Sequence, residues 1–102
     1  MNDIGLKPED IVRMKDILSH FPQIEKVLLY GSRAMGNYKP ASDIDLSLLG
    51  ENIDLTMQHY LELELDDLLL PYKFDISIYT KISNPEFKKH IDRVGKTLYE
   101  KK

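Results

Sequence analysis

Residues 43–49 read Asp-Ile-Asp-Leu-Ser-Leu-Leu, a stretch in which polar and apolar side chains alternate. This alternation is typical of a β-strand with one buried face and one open face. The open face would present Asp43 and Asp45 side by side, with their Cα atoms about 6.5 Å apart. Because two carboxylates at this spacing repel each other, the pattern favours a bound cation, and hard carboxylate oxygens suit Mg²⁺.

The same alternation returns in residues 73–79, Lys-Phe-Asp-Ile-Ser-Ile-Tyr, and places Asp75 on the polar face of a second strand. If the two strands pair, three carboxylates meet, and such a set can hold two metal ions about 3.5–4 Å apart. We therefore predict that Asp43, Asp45 and Asp75 form a catalytic site for magnesium. Asp75, which would reach only one of the ions, is best placed to act as a general base.

An apolar strand at residues 25–30 precedes this region and ends in a turn that begins with Gly31 and Ser32. Backbone N–H groups in such a turn, together with the seryl hydroxyl, can bind the phosphates of a nucleoside triphosphate. Glycine permits the close approach. We predict that Arg33 also clamps a phosphate, whereas Lys39 either approaches the nucleotide or is a solvated loop charge.

The remaining segments complete a mixed α/β order. Pro8 and the acids after it begin a helix that runs to about Ser19, and Pro71 stops a second helix. The predicted helices cover residues 8–19, 54–70 and 83–98, the last of them weakened by Gly95. We predict one domain over residues 1–102, in the α/β class (α+β type), with helices packed on the apolar face of a small mixed sheet. The polar face would stay open for the site.

The composition excludes several classes of function. The chain has 102 residues and no cysteine, which rules out disulfides and thiolate metal sites. A net charge of −3 argues against a basic face that would bind nucleic acid, so no direct nucleic-acid contact is expected. No apolar run approaches the roughly 20 residues that span a bilayer. The expectation is a cytoplasmic protein without a membrane segment.

The motif residues, taken together, resemble the DNA polymerase beta nucleotidyltransferase superfamily. Gly31-Ser32 is followed after ten residues by Asp43-Ile44-Asp45, and a later strand carries Asp75. The resemblance covers most of the chain and implies the polymerase beta-like core. In that family the first two aspartates bind both metals and the third completes the site.

Larger members of this superfamily add a helical domain that grips the base and the acceptor, and the 102 residues contain only the core. The chain therefore resembles the minimal nucleotidyltransferases. These are typically paired with a HEPN ribonuclease as the MNT antitoxin of a toxin–antitoxin system, and members transfer AMP from ATP to a tyrosine of the toxin. The resemblance thus implies a protein adenylyltransferase with ATP as substrate, magnesium as cofactor and a HEPN toxin as partner.

Two other functions are compatible with the same residues. A metal-dependent phosphoesterase would use similar carboxylates but has no special need for the Gly-Ser turn. A non-enzymatic antitoxin would neutralise its toxin by binding alone, and its aspartates would be relics or nucleotide sensors. An acidic stretch at residues 51–67 and a basic one at residues 81–102 could form a docking surface or could be solvated helix faces.

Overall fold

The structure is a computed structural model that describes residues 4–102. Its helices are α1 (Pro8–Ser19), α2 (Gly31–Met35), α3 (Leu55–Asp66) and α4 (Pro85–Val94). Its strands are β1 (Lys26–Tyr30), β2 (Ile44–Leu49), β3 (Phe74–Ile78) and β4 (Lys96–Glu100), and a single 3-10 turn (Tyr79–Lys81) follows β3. Within residues 4–102 no helix has the length and apolar character needed to cross a membrane.

The helix ends follow from local sequence. Proline occupies the first turn of both α1 and α4, where its missing N–H costs no hydrogen bond. The side chain of Asp54 accepts a hydrogen bond from the Met57 N–H and caps α3. Asn84 caps α4 in the same way, through the N–H groups of Glu86 and Phe87.

The four strands form one mixed sheet in the order β3-β2-β1-β4. Strand β1 is antiparallel to both of its neighbours, whereas β2 and β3 are parallel. A parallel pair needs a long connection, and α3 provides it. This topology brings the C-terminal end of β1 next to the N-terminal ends of β2 and β3. The candidate site lies at that end.

One face of the sheet packs on α1 and α3. The sheet contributes fully buried side chains such as Val27, Leu29 and Leu46, while Leu18 and Leu61 come from the two helices. Removing this apolar surface from water is the main force that holds α1 and α3 on the sheet.

Two predictions about the C-terminal region are wrong. The chain does not continue as a helix from residue 83 to residue 98, because Gly95 takes an extended conformation after its N–H closes the last helical turn on the Ile91 carbonyl. The residues after Gly95 pair with β1 as strand β4. Leu98 lies seven residues after Ile91, and this spacing imitates a continuing helix although Leu98 belongs to the strand alternation.

The helices are also not confined to one face of the sheet. Helix α4 packs against the other face, where the ring of Phe87 meets Tyr30 edge-on at 5.5 Å and Gly95 lies beside Leu28. Ile91 is 0% exposed there, outside the main core. The polar face is thus covered next to β1 and open at the starts of β2 and β3. Helix α4 therefore forms one wall of the candidate site.

Replacing Ile91 by alanine tests this second packing layer. Loss of a fully buried isoleucine side chain should lower the free energy of unfolding by about 2–5 kcal/mol. The neighbouring exposed residue Arg93 is a matched control, because Arg93→Ala on the same helix should change stability by about 0.5 kcal/mol or less. Urea unfolding of both variants provides the comparison. Equal stabilities would contradict the packing of α4 on the sheet.

Candidate active site

Asp45 and Asp75 are direct partners across the parallel pair of β2 and β3. Directly opposite residues of neighbouring strands lie about 5 Å apart and project from the same face. Asp45 is partly buried and Asp75 is exposed. Asp43 lies just before β2 and is also exposed. The three predicted aspartates therefore occupy one end of one sheet face.

The electrostatics of this cluster are unfavourable for the protein alone. Burial, reinforced by the negative charges of Asp75 and Asp43, raises the pKa of Asp45 from 3.8 to about 6, against a smaller opposing effect of Arg33. None of the salt bridges found within residues 4–102 includes one of these aspartates. A divalent cation would relieve the repulsion, and this chemistry fits the carboxylate set.

The aspartates do not enclose a metal by themselves. In the part of the chain that the structure describes, no group of three or more acidic or histidine side chains is arranged so that it could hold a metal ion unaided. Magnesium usually retains several waters and takes only one or two carboxylates together with substrate phosphates. The open arrangement therefore fits a metal that arrives with a nucleotide better than a permanent structural ion.

Gly31 brings the Gly-Ser turn against this cluster. Its φ of 75° lies in the left-handed region, and a Cβ atom at this position would collide with Oδ2 of Asp45. Only glycine allows the backbone to pass this close to the carboxylate. The turn and Asp45 are therefore neighbours in the fold.

Ser32 lies in the first turn of α2 and is partly exposed. Tyr30, which precedes the helix, supplies no side-chain cap. The first N–H groups of a helix have no partner within it, so these groups can receive an acceptor from outside. Ser32 and Gly31 remain the predicted phosphate-binding residues.

The structure gives Arg33 a role other than the predicted phosphate clamp. Its side chain is 1% exposed, and its guanidinium donates hydrogen bonds to backbone carbonyls on two separate segments. The rings of Tyr38 and Tyr72 lie on it at 5.2 and 4.6 Å from the central carbon. A group held in this way cannot reach a nucleotide, so that prediction is wrong. Lys39 is exposed, and its possible approach to the nucleotide stays a prediction.

Tyr30 is a site residue that the sequence reasoning missed. It pairs with Asp45 across β1 and β2 and is 5% exposed. Burial raises the pKa of its hydroxyl, a hydrogen bond with Ser77 opposes that rise, and the charges of Asp75 and Asp45 add to it. The hydroxyl therefore stays protonated beside the carboxylates. Its place on the polar face could have been found, because it alternates with the buried Val27 and Leu29.

The site and the topology agree with a known family. A family model described as Polymerase beta, Nucleotidyltransferase matches residues 13–102. This chain belongs to that family. The membership predicted from the motif is confirmed, and so are the α/β fold class and the polymerase beta-like core.

Individual relatives of this nucleotidyltransferase are similar to it at low sequence identity. The Probable protein adenylyltransferase MntA of Haemophilus influenzae is 27% identical over 99 residues, which are 96% of this chain and 86% of the relative. A chain in the crystal structure of a toxin-antitoxin with AMP-PNP has a TM-score of 0.70 and 19% identity, over 100% of this chain and 76% of that one.

A further structure contains tri-AMPylated Shewanella oneidensis HEPN toxin in complex with MNT antitoxin. It matches with a TM-score of 0.69 and 16% identity, over 94% of this chain and 74% of that one. At such identities the likeness of the two solved structures establishes the fold alone.

Gly31→Ala tests whether the turn is pressed against Asp45. The variant should lose nucleotidyl transfer by at least about tenfold, because a displacement of about 1 Å at a reacting centre can cost two orders of magnitude. Gly36→Ala is the matched control, since Gly36 also has a positive φ, of 83°, but open space around its Cβ position. Both variants should lose stability, but only Gly31→Ala should lose transfer per folded molecule. Equal activities would contradict the contact.

Asp45→Asn should stabilise the metal-free protein in a pH-dependent way. The pKa of Asp45 in the fold, about 6, lies above its ordinary 3.8, so its ionisation weakens the fold as the pH rises through this interval. After allowance for solvent screening, the gain should be about 1–2 kcal/mol near neutral pH and close to zero near pH 4. Thermal unfolding in EDTA at both pH values measures it. A pH-independent difference would contradict the proposed repulsion.

Proposed function

We propose that this chain is a magnesium-dependent protein adenylyltransferase that transfers AMP from ATP to a hydroxyl, in the first instance of a tyrosine, on a partner HEPN ribonuclease toxin. It would thereby act as the antitoxin of the pair. The observation that carries this proposal is the register of Asp45 opposite Asp75, with the Gly31 turn pressed against Asp45. Similarity to a probable protein adenylyltransferase, at 27% identity over 99 residues, supports the same activity. We place the protein in the cytoplasm, as a single domain over residues 1–102.

The residues divide the work of the reaction. The acceptor oxygen attacks the α-phosphorus of ATP, a new P–O bond forms, and the bond to the β-phosphate oxygen breaks so that pyrophosphate leaves. Asp43 and Asp45 would hold magnesium, which when bound neutralises the charge that develops on the phosphates. Asp75 would help to hold it and would accept the proton of the attacking hydroxyl.

Exposure at the site suits an acceptor on another protein. Asp43 and Asp75 are both exposed, whereas Asp45 is partly buried between them. A tyrosine of a partner can therefore approach Asp75 from solvent without a rearrangement of the sheet. The side of the site next to β1 is closed by α4 through Phe87 and Tyr30. Approach from the β3 side of the sheet is thus the geometry that we expect.

The direct test is incubation of the chain with α-³²P-labelled ATP, magnesium and the product of the neighbouring open reading frame. Label transferred to that protein, together with released pyrophosphate, is the expected result. Release of orthophosphate without protein label would instead identify a phosphoesterase. A stable complex without any label would favour neutralisation by binding alone. In that case Asp43→Asn combined with Asp45→Asn should leave toxin neutralisation intact.

Asp75→Asn separates catalysis from binding. Loss of a general base should slow transfer by about 10²- to 10⁴-fold, because proton acceptance is needed only as the acceptor attacks. ATP binding, measured by isothermal titration calorimetry, should change little. Asp67→Asn removes the same charge at an exposed position after α3 and is the matched control. A transfer rate equal to that of the control would remove Asp75 from this role.

Ser32→Ala tests the phosphate-binding turn. The variant should bind ATP more weakly by about 1–2 kcal/mol, as expected for the loss of one hydrogen bond to a charged group. The KM for ATP should rise while the turnover of the saturated enzyme stays near that of the wild type. Unchanged ATP affinity would mean that the hydroxyl does not face the phosphates.

A further inference from the structure

Arg33 carries a buried positive charge next to the candidate site. Its five N–H groups meet backbone carbonyls only: Nη1 donates to Ile4 at 2.8 Å and Gly5 at 3.3 Å. Nη2 donates to Pro40 at 3.3 Å and Ser42 at 3.0 Å, and Nε donates to Ser42 at 3.2 Å. Within residues 4–102 no carboxylate lies at salt-bridge distance from it. Burying a charge without an ionic partner costs free energy, so we expect the buried guanidinium of Arg33 to have a function.

The carbonyl groups that receive these hydrogen bonds belong to segments that lead to the aspartates. Ser42 immediately precedes Asp43, and its carbonyl oxygen accepts from two nitrogens of the guanidinium. The planar fork of arginine matches this pair of contacts, which a lysine ammonium cannot reproduce. The loop between α2 and β2 therefore has its last residues fixed before the chain reaches Asp43.

The aromatic partners extend this connection to the third aspartate. The Tyr72 ring lies 4.6 Å from the guanidinium carbon, and Tyr72 precedes Asp75 by three residues. The Tyr38 ring, which also lies on the guanidinium, belongs to the loop after α2. Arg33 itself lies in α2, directly after Gly31 and Ser32. One side chain thus contacts the segments that carry all parts of the site. Its positive charge also opposes the mutual repulsion of the carboxylates.

From this geometry we infer that Arg33 is a positioning residue, which fixes the approach to β2 and β3 so that Asp43, Asp45 and Asp75 meet the metal–nucleotide complex in one arrangement. The inference deepens the proposed function and rests on it for the identity of that complex. Arg33 acts through the aspartates and touches neither nucleotide nor acceptor. Its place within the motif follows from this role: a residue adjacent to the phosphate turn can reach the loop that returns to β2.

Arg33→Lys is the decisive variant, because it retains the charge and removes the fork. Ile17→Ala, in α1, is a control in which a buried side chain is lost from the core. The two are compared with the wild-type full chain by thermal unfolding, by amide hydrogen exchange of residues 37–43, and by Mn²⁺ titration at a saturating concentration of a non-hydrolysable ATP analogue. Transfer of AMP is measured separately, as kcat and KM for ATP.

For a positioning residue, Arg33→Lys should speed exchange across residues 37–43 and weaken Mn²⁺ binding by about 10–100-fold, the usual cost of losing a group that orients metal ligands. The kcat should fall by a similar factor with a smaller change in KM. Ile17→Ala should lower the unfolding midpoint while Mn²⁺ affinity and kcat per folded molecule stay within about twofold of the wild type.

Exchange and Mn²⁺ binding that match the Ile17→Ala control would overturn the inference, whatever the transfer assay gives. If the wild type transfers no AMP but Arg33→Lys still loosens the loop and weakens Mn²⁺ binding, the proposed reaction fails and the positioning role stands. Should Arg33→Lys not fold, Tyr72→Leu takes its place, since it removes one aromatic face and leaves all the carbonyl contacts. Its Mn²⁺ affinity should fall in the same direction, and an unchanged affinity would overturn the inference.

Discussion

Asp45 and Asp75 face each other because β2 and β3 run parallel and in register, and the repulsion between these carboxylates is the constraint on which the rest of the site depends. Within residues 4–102, no lysine or arginine side chain forms a salt bridge with these aspartates. The pKa of Asp45 is raised to about 6. A divalent cation bound between the carboxylates would relieve this repulsion, so metal binding and the stability of the fold would be linked.

The surrounding structure keeps the carboxylates together despite this cost. The main core below β2 fixes the strand through Ile44, Leu46 and Leu48, which are all fully buried. On the opposite face, α4 closes the site beside β1, and Gly31 lets the Gly31–Ser32 turn approach Asp45. Arg33 links that turn to the loop before Asp43. Precise placement therefore comes from several rigid elements, which is what a reaction sensitive to displacements of about 1 Å requires.

Much of this arrangement could be predicted from local patterns. The alternation in residues 43–49 and 73–79 correctly predicted two strands, and the motif predicted the family. The predicted last helix is too long because a spacing of seven residues between Ile91 and Leu98 suits a helix, and only pairing with β1 reveals the strand.

The prediction for Arg33 is wrong because a cation beside a Gly-Ser turn suggests a phosphate ligand. Its burial depends on Ile4, Tyr38 and Tyr72, which are contacts that sequence spacing does not reveal. The metal and phosphate roles of the site residues remain predictions.

The central claim is that the carboxylates of β2 and β3 bind the metal that holds the nucleotide. A crystal structure of the chain soaked with Mn²⁺ and a non-hydrolysable ATP analogue, with anomalous data collected at the manganese edge, tests this most directly. We expect an anomalous peak within coordination distance, about 2.0–2.3 Å, of oxygens from both Asp45 and the triphosphate. We also expect the terminal phosphates at the Gly31–Ser32 turn. A nucleotide bound elsewhere, or manganese bound away from Asp45 and Asp75, would contradict metal binding by these carboxylates.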